Sequence, residues 1–237
     1  MKIGQRSGEY SSGAGTDLRY EIKLVCEAHQ LSQARSWVRL HPAGFRVAYP
    51  PRRVNSLYLD TCDMRSLAQN LAGVAARQKL RLRWYGDAWV DVQPLLELKW
   101  KRNLLGAKRQ ALLPCRLDLT ASWVDALRVV RANAGPDWRV YLQTADQPAA
   151  LICYRREYHV TRDGAVRLTL DHNIHAYDQR LSIRPDLDRR LLVADRVVLE
   201  LKAAAAHGER LQEIAGCFPL QRTRNSKYVQ ALLAALG

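Results

Sequence analysis

From residue 18 onward, apolar and polar residues alternate in short runs, the period-two signature of strands with one buried face. Such runs cover 18–26, 53–60, 75–86, 92–103, 106–113, 150–160, 164–171 and 195–203. Apolar residues at helical spacing recur near 29–40, 63–72, 118–133, 208–216 and 225–236. The helical segments do not follow each strand in turn, and runs such as 75–86 and 92–103 stand a hairpin's distance apart. Antiparallel pairing and an α+β class follow. Eight strands suffice to close a barrel, so the expectation is a closed eight-stranded antiparallel β-tunnel with helices packed outside. Stretches 134–149 and 176–192 show neither period and are read as irregular loops or a hairpin excursion. Residues 1–17, polar and rich in Gly and Ser, are read as a flexible tail, which leaves 18–237 as one domain.

Strand parity adds a second layer, because alternate residues point to opposite sides. In 75–86 one side carries Arg77, Lys79, Arg81, Arg83 and Tyr85, and the other Gln78, Leu80, Leu82 and Trp84. The split recurs in Leu95/Glu97/Lys99/Lys101, in Arg19/Glu21/Lys23 and in Arg196/Val198/Glu200/Lys202. An amphipathic sheet with its charged face in water would show the same alternation. Rows of like charge, however, repel one another across a sheet unless a counter-charge binds them. If the apolar face turns outward under the helices, the ionic face lines an interior that needs anions.

The excess of 37 Lys and Arg over 23 Asp and Glu, a net charge of +14, points to a polyanionic partner. Phosphate suits such a lining, since arginine forks grip its oxygens and lysine adds point charge. Glu21, Glu97 and Glu200 would then either pair with neighbouring cations or hold a divalent metal that bridges to phosphate. The sequence contains no GxxxxGK[ST] motif, no zinc-type Cys/His spacing and no long apolar span, and its start lacks a signal-like apolar segment. A cytoplasmic protein is expected, with its five cysteines as buried or idle thiols. Asp60 and Asp63 are read as caps of the helix that follows. His172 and His175, beside Asp171, are read as solvent-facing. Arg52 and Arg53 are placed at the tunnel mouth or in solvent.

Taken together in this order, LRYEIKLV, SLYLDT, KLRLRWYG, LLELKWKR, YRREY, VVLELK and RNSKYV resemble the VTC (vacuolar transporter chaperone) polyphosphate polymerase domain. That domain belongs to the CYTH-like triphosphate tunnel metalloenzymes. The resemblance implies a tunnel that transfers the terminal phosphoryl group of ATP to polyphosphate with Mn2+ or Mg2+. It also implies that Lys23, Arg81, Arg83, Lys99 and Arg156 act on the phosphates in catalysis, and that Lys108, Tyr154, Lys202, Ser226 and Lys227 complete the phosphate-binding wall. Glu200 would be the metal ligand, with Glu97 a second. Hydrolytic relatives open with ExExK, whereas here the series is Arg19, Glu21, Lys23, which argues for polymer synthesis or binding.

ATP and polyphosphate are therefore the expected partners. A membrane protein is a conceivable further one, and nucleic acid is not expected because it would not need the glutamates. Two other readings stand beside the polymerase: a hydrolase of tripolyphosphate or a nucleotide, and a non-catalytic module that binds polyphosphate.

Overall fold

Every backbone N–H and C=O of a strand needs a partner, and alternating sequences find theirs in a ladder. The computed structural model describes residues 19–102 and 105–236, with the side chains of 102–106 left aside. Its strands are β1 (Arg19–Glu27), β2 (Arg46–Asp60), β3 (Ala76–Tyr85), β4 (Leu95–Arg102), β5 (Leu105–Leu112), β6 (Gln147–Val160), β7 (Val166–Asp178) and β8 (Arg196–Ala204). They form one sheet in the order β1-β8-β7-β6-β2-β3-β4-β5, every pair antiparallel. The helices are α1 (Leu31–Arg39), α2 (Arg65–Leu71), α3 (Trp123–Asn133), α4 (Pro136–Thr144), α5 (Gly208–Gly216) and α6 (Lys227–Leu236). The segment expected to be a tail lies outside the described residues.

The sheet curls until its edges, β1 and β5, bring Cα atoms within 8 Å of one another. Among the described residues no ladder joins them, so the sheet is antiparallel and eight-stranded as expected, but it is curled and not closed by backbone hydrogen bonds. Backbone closure requires the 4.7–4.9 Å spacing of neighbouring strands along a shared register.

Apolar residues of the convex face account for the outer helices. Trp123 and Leu127 of α3 and Trp138 and Leu142 of α4 pack in one cluster with Leu57, Leu82 and Leu96 of β2, β3 and β4. Ala34 and Val38 of α1 and Leu211 and Ile214 of α5 pack with Leu24, Leu168 and Leu199 of β1, β7 and β8. At about 1.5–3 kcal/mol for each large side chain removed from water, these two clusters supply most of the drive to fold.

Three features correct the sequence reading. First, α4 occupies part of 134–149. Pro136 begins it at the position where a missing N–H costs nothing, and Trp138 and Leu142 anchor it. Second, two strands run longer than expected. β2 starts at Arg46 and carries Pro50 and Pro51 through two register shifts, and β7 continues to Asp178 past an irregularity beside Asn173, whose φ is +51°. Third, not every helix is outside. α6 lies against the concave face, where Tyr228, Ala231 and Leu232 cluster with Ile152, Ile174, Ala176 and Val198. The shift at Asn173 makes this possible: Asp171 is concave, and the extra residue turns Ile174 and Ala176 to the same side.

Candidate functional site

Beyond that apolar patch, much of the concave face is ionic. Arg81 and Arg83 on β3 meet Glu97 on β4, whose carboxylate is fully buried. Arg81 donates to Glu97 Oε2 and, through Nη1, to the Tyr58 hydroxyl at 2.8 Å. Arg83 lies 3.6 Å from the same Oε2 and donates to Tyr154 Oη at 3.3 Å and Ser56 Oγ at 3.4 Å. From β5, Gln110 donates to Glu97 Oε1, and Lys108 Nζ approaches it to 3.7 Å. Burial disfavours the Glu97 charge, but Arg81, Arg83, Lys108 and Lys99 outweigh it and hold the carboxyl well below its ordinary range.

A second knot forms where β6 meets β7. Arg156 grips Asp171 through two parallel bonds of 2.5 and 2.7 Å, and Lys227, at the start of α6, donates to Asp171 Oδ2 at 2.7 Å. Burial again opposes the charge, and Arg156 and Lys227 bring Asp171 down to about 2. Arg156 also reaches Glu200 Oε2 at 3.6 Å, which ties this knot to a third on β1 and β8. There Lys23 lies 2.9 Å from Glu21 and 3.9 Å from Glu200, while Lys202 lies 3.6 Å from Glu21 and 3.2 Å from Glu200.

The amino end of α6 closes the ring of contacts. Ser226 caps the helix, accepting from Val229 N–H at 3.4 Å, and also accepts from Lys79 at 2.8 Å; Lys23 donates to the Asn225 carbonyl at 3.0 Å. The lysines of this face divide into two groups. Burial works against the charge of Lys23, yet Glu200 and Glu21 outweigh it and raise its pKa. Lys79, buried beside Lys23, Arg77 and Arg81, falls to about 7, and Lys108, burdened by partial burial and by Lys202, falls to about 8 despite Glu97. Burial, with Arg81 and Lys202 nearby, pushes Lys99 well below the ordinary lysine range. Burial first, and neighbouring cations second, thus disfavour the charge of three lysines on this face, while carboxylates favour that of Lys23.

All the residues singled out in the sequence stand on this face: Lys23, Arg81, Arg83, Glu97, Lys99, Lys108, Tyr154, Arg156, Glu200 and Lys202 on strands, with Ser226 and Lys227 at the tip of α6. Sequence reasoning set Asp171 aside together with the histidines beside it. Strand parity with Arg167 and Thr169 was the available signal. His172 is on the convex side but buried, not solvent-facing as expected, because it packs 3.3 Å from Glu157, which also binds Arg35. Lys79 shared a row with Arg81 and Arg83 but belonged to no singled-out set. Asp60 does cap α2, accepting from Ser66 N–H at 2.8 Å and Leu67 N–H at 3.1 Å, and it also takes the hydroxyl of Tyr228.

Among the described residues, no group of three or more His, Cys, Asp or Glu side chains is gathered for a metal. Two carboxylates with phosphate oxygens can nonetheless hold Mg2+ or a similar ion. Glu21 and Glu200 fit that pattern better than Glu97: they stand on adjacent strands and both pair with the ammonium groups of Lys23 and Lys202, with Arg156 a further 3.6 Å partner of Glu200. Glu97 does not fit, because Arg81, Arg83, Lys108 and Gln110 already occupy both of its oxygens.

A search of curated proteins gave no match. Among solved structures, the chain is similar to the PH1819 protein of Pyrococcus horikoshii OT3, with 12% identity and a TM-score of 0.51 over 91% of this chain and 99% of that one. It is also similar to a candidate adenylate cyclase of Vibrio parahaemolyticus, with 15% identity and a TM-score of 0.49 over 90% and 96%. The first likeness is one of fold. The family is shown by the sequence itself, because the VTC domain model matches residues 18–236, from the start of β1 to the end of α6, and the chain belongs to the VTC domain family.

Proposed function

We propose that this protein is a polyphosphate polymerase, which moves the terminal phosphoryl group of ATP onto a polyphosphate chain held in the curled sheet as in a tunnel. The observation that carries the reading is the convergence of lysines and arginines from β1, β3, β4, β5, β6, β8 and α6 on one face, where Lys79, Lys99 and Lys108 hold their protons poorly. An interior of this kind gains most from a ligand with many anionic oxygens and no bulk, which describes a phosphate chain.

In the step proposed, a terminal oxygen of polyphosphate attacks the γ-phosphorus of ATP. A new P–O–P linkage forms while the bond from that phosphorus to the β,γ-bridging oxygen breaks, and ADP leaves with the electron pair. Such a transfer needs alignment and neutralisation of charge more than a protein nucleophile. Arg81 and Arg83, braced by Glu97 and by the hydroxyls of Tyr58 and Tyr154, would present fixed forks to the equatorial oxygens. Arg156, held by Asp171, would grip the next phosphate, and Lys23, Lys99 and Lys202 would neutralise the remainder. Ser226 and Lys227 would add the donors of a helix amino end. Glu200 and Glu21 would hold Mn2+ or Mg2+, which would supply Lewis-acid neutralisation of the phosphate charge.

Arg19 stands where hydrolytic relatives carry the first glutamate of ExExK, which favours synthesis over hydrolysis. The test is incubation of the purified protein with ATP and Mn2+, with products resolved by chain length. A ladder of polyphosphates is expected. Free phosphate alone would make the protein a hydrolase, and unchanged ATP with tight polyphosphate binding would make it a binding module.

A further inference from the structure

One cluster on the concave face has no part in that scheme. The guanidinium of Arg52 lies over three tyrosine rings, 5.8 Å from the centroid of Tyr49, 4.9 Å from Tyr85 and 5.0 Å from Tyr158. Tyr49 and Tyr158 meet edge to face with centroids 5.9 Å apart. Cross-strand register pairs Arg52 with Arg156 and Tyr49 with Tyr158, so the cluster shares the face of Arg156 and continues it outward. Tyr85 ends the row of Arg81 and Arg83 on β3 and pairs with Val54, two residues along from Arg52.

Burial does not explain two of these rings, since Tyr49 is 59% exposed and Tyr85 38%, whereas Tyr158 behind them is half-buried. The backbone is nevertheless bent to bring them together. β2 shifts register between Val47 and Tyr49 and again between Tyr49 and Arg52, around Pro50 and Pro51, and such bulges re-aim side chains. Exposed aromatic faces pinned by a stacked arginine offer a planar group two kinds of contact, π-stacking and cation–π. Tyr158 and Arg156 lie two residues apart on one strand, roughly 7 Å, a distance that a ribose spans.

We infer that Tyr49, Tyr85 and Tyr158, held by Arg52, form a stacking seat for the base of the nucleotide whose phosphates lie against Arg83 and Arg156. The inference rests on the triphosphate reading of the ionic face. Each base offers a π-face, so the seat takes bases by stacking and not by edge recognition.

The experiment compares two probes, ATP and inorganic tripolyphosphate, by calorimetric titration of the wild type, Tyr85→Phe and the double variant Tyr49→Leu/Tyr85→Leu, with circular dichroism to confirm folding. The double variant is expected to bind ATP about tenfold more weakly while holding tripolyphosphate within about twofold of the wild type. Tyr85→Phe, which keeps the ring, should match the wild type for both. Equal losses for the two probes, or no loss for ATP, would overturn the seat while leaving the phosphate site standing. Failure of the wild type to bind either probe would instead sink the phosphate reading, and the seat with it.

Discussion

The two halves of the concave face are made by the same strands and treated in opposite ways. Along β6, Ala150 and Ile152 give way to Tyr154 and Arg156; along β8, Val198 gives way to Glu200 and Lys202; on β1, Val25 lies beyond Lys23 and Glu21. In one half the protein supplies its own filling, α6, and the contacts are those of any core. In the other half it supplies charges that only partly neutralise one another. An interior can be completed from within or left to be completed by a ligand, and the change occurs within two or three residues of a single strand.

Substitutions in the ionic half should abolish function and spare the fold, which is the largest effect expected. Arg83→Ala and Glu200→Gln should each lower product formation by about 100-fold or more, while circular dichroism stays native, because Arg81, Lys108 and Gln110 still satisfy Glu97. Wild-type turnover in either variant would remove the distinction between the halves. In the apolar half the pattern should invert. Leu232→Ala, at a fully buried position, should cost about 3 kcal/mol in denaturant unfolding and leave tripolyphosphate affinity within about threefold of the wild type. Loss of affinity at unchanged stability would show that α6 belongs to the site more deeply than its tip.

A smaller effect tests the disfavoured lysine charges directly. With Lys79 near 7 and Lys108 near 8 in the free protein, both are mostly protonated at pH 6, whereas at pH 8.5 an arriving anion must recruit protons to them. Tripolyphosphate affinity should therefore fall by roughly tenfold between these pH values, and titrations in buffers of different ionisation enthalpy should register proton uptake at the higher one. In Lys79→Arg the fall should be shallower; an unchanged slope would clear Lys79 of the role. Smallest of all, Tyr228→Phe removes one donor to Asp60, which keeps the N–H groups of Thr61, Ser66 and Leu67, so the expected cost is about 1 kcal/mol in the same unfolding experiment.

Much of this was legible in the chain. Alternation located the strands, and parity grouped Arg81 with Arg83 and Glu200 with Lys202 without reference to any relative, because a ladder fixes which neighbours share a face. What alternation cannot carry is a change of phase. The irregularity at Asn173 reverses parity within β7, so Ile174 and Ala176 could not be assigned to the side of Asp171 from spacing alone. Nor does an amphipathic pattern say which face of a curled sheet a helix will cover, and α6 chose the inner one. The opening of α4 at Gly135 and Pro136 reads as a break until the buried Trp138 shows it to be a start. Pairing between Arg156 and Asp171, which sets the geometry of the arginine fork, joins residues fifteen apart through a hairpin whose register only the turn decides.

The position of α6 also bears on how the molecule is made. The floor it covers is drawn from β2, β6, β7 and β8, all earlier in the chain. As synthesis proceeds from the amino end, that floor emerges residue by residue with only Met64, Leu67, Leu191 and Val193 to cover it until 227–236 has followed. Throughout that interval Ile152, Ile174 and Val198 present a greasy patch beside a strongly basic one, and the nascent chain is at its most adhesive. A message cut short before residue 227 would leave the molecule in that state permanently, with every strand of its sheet already made.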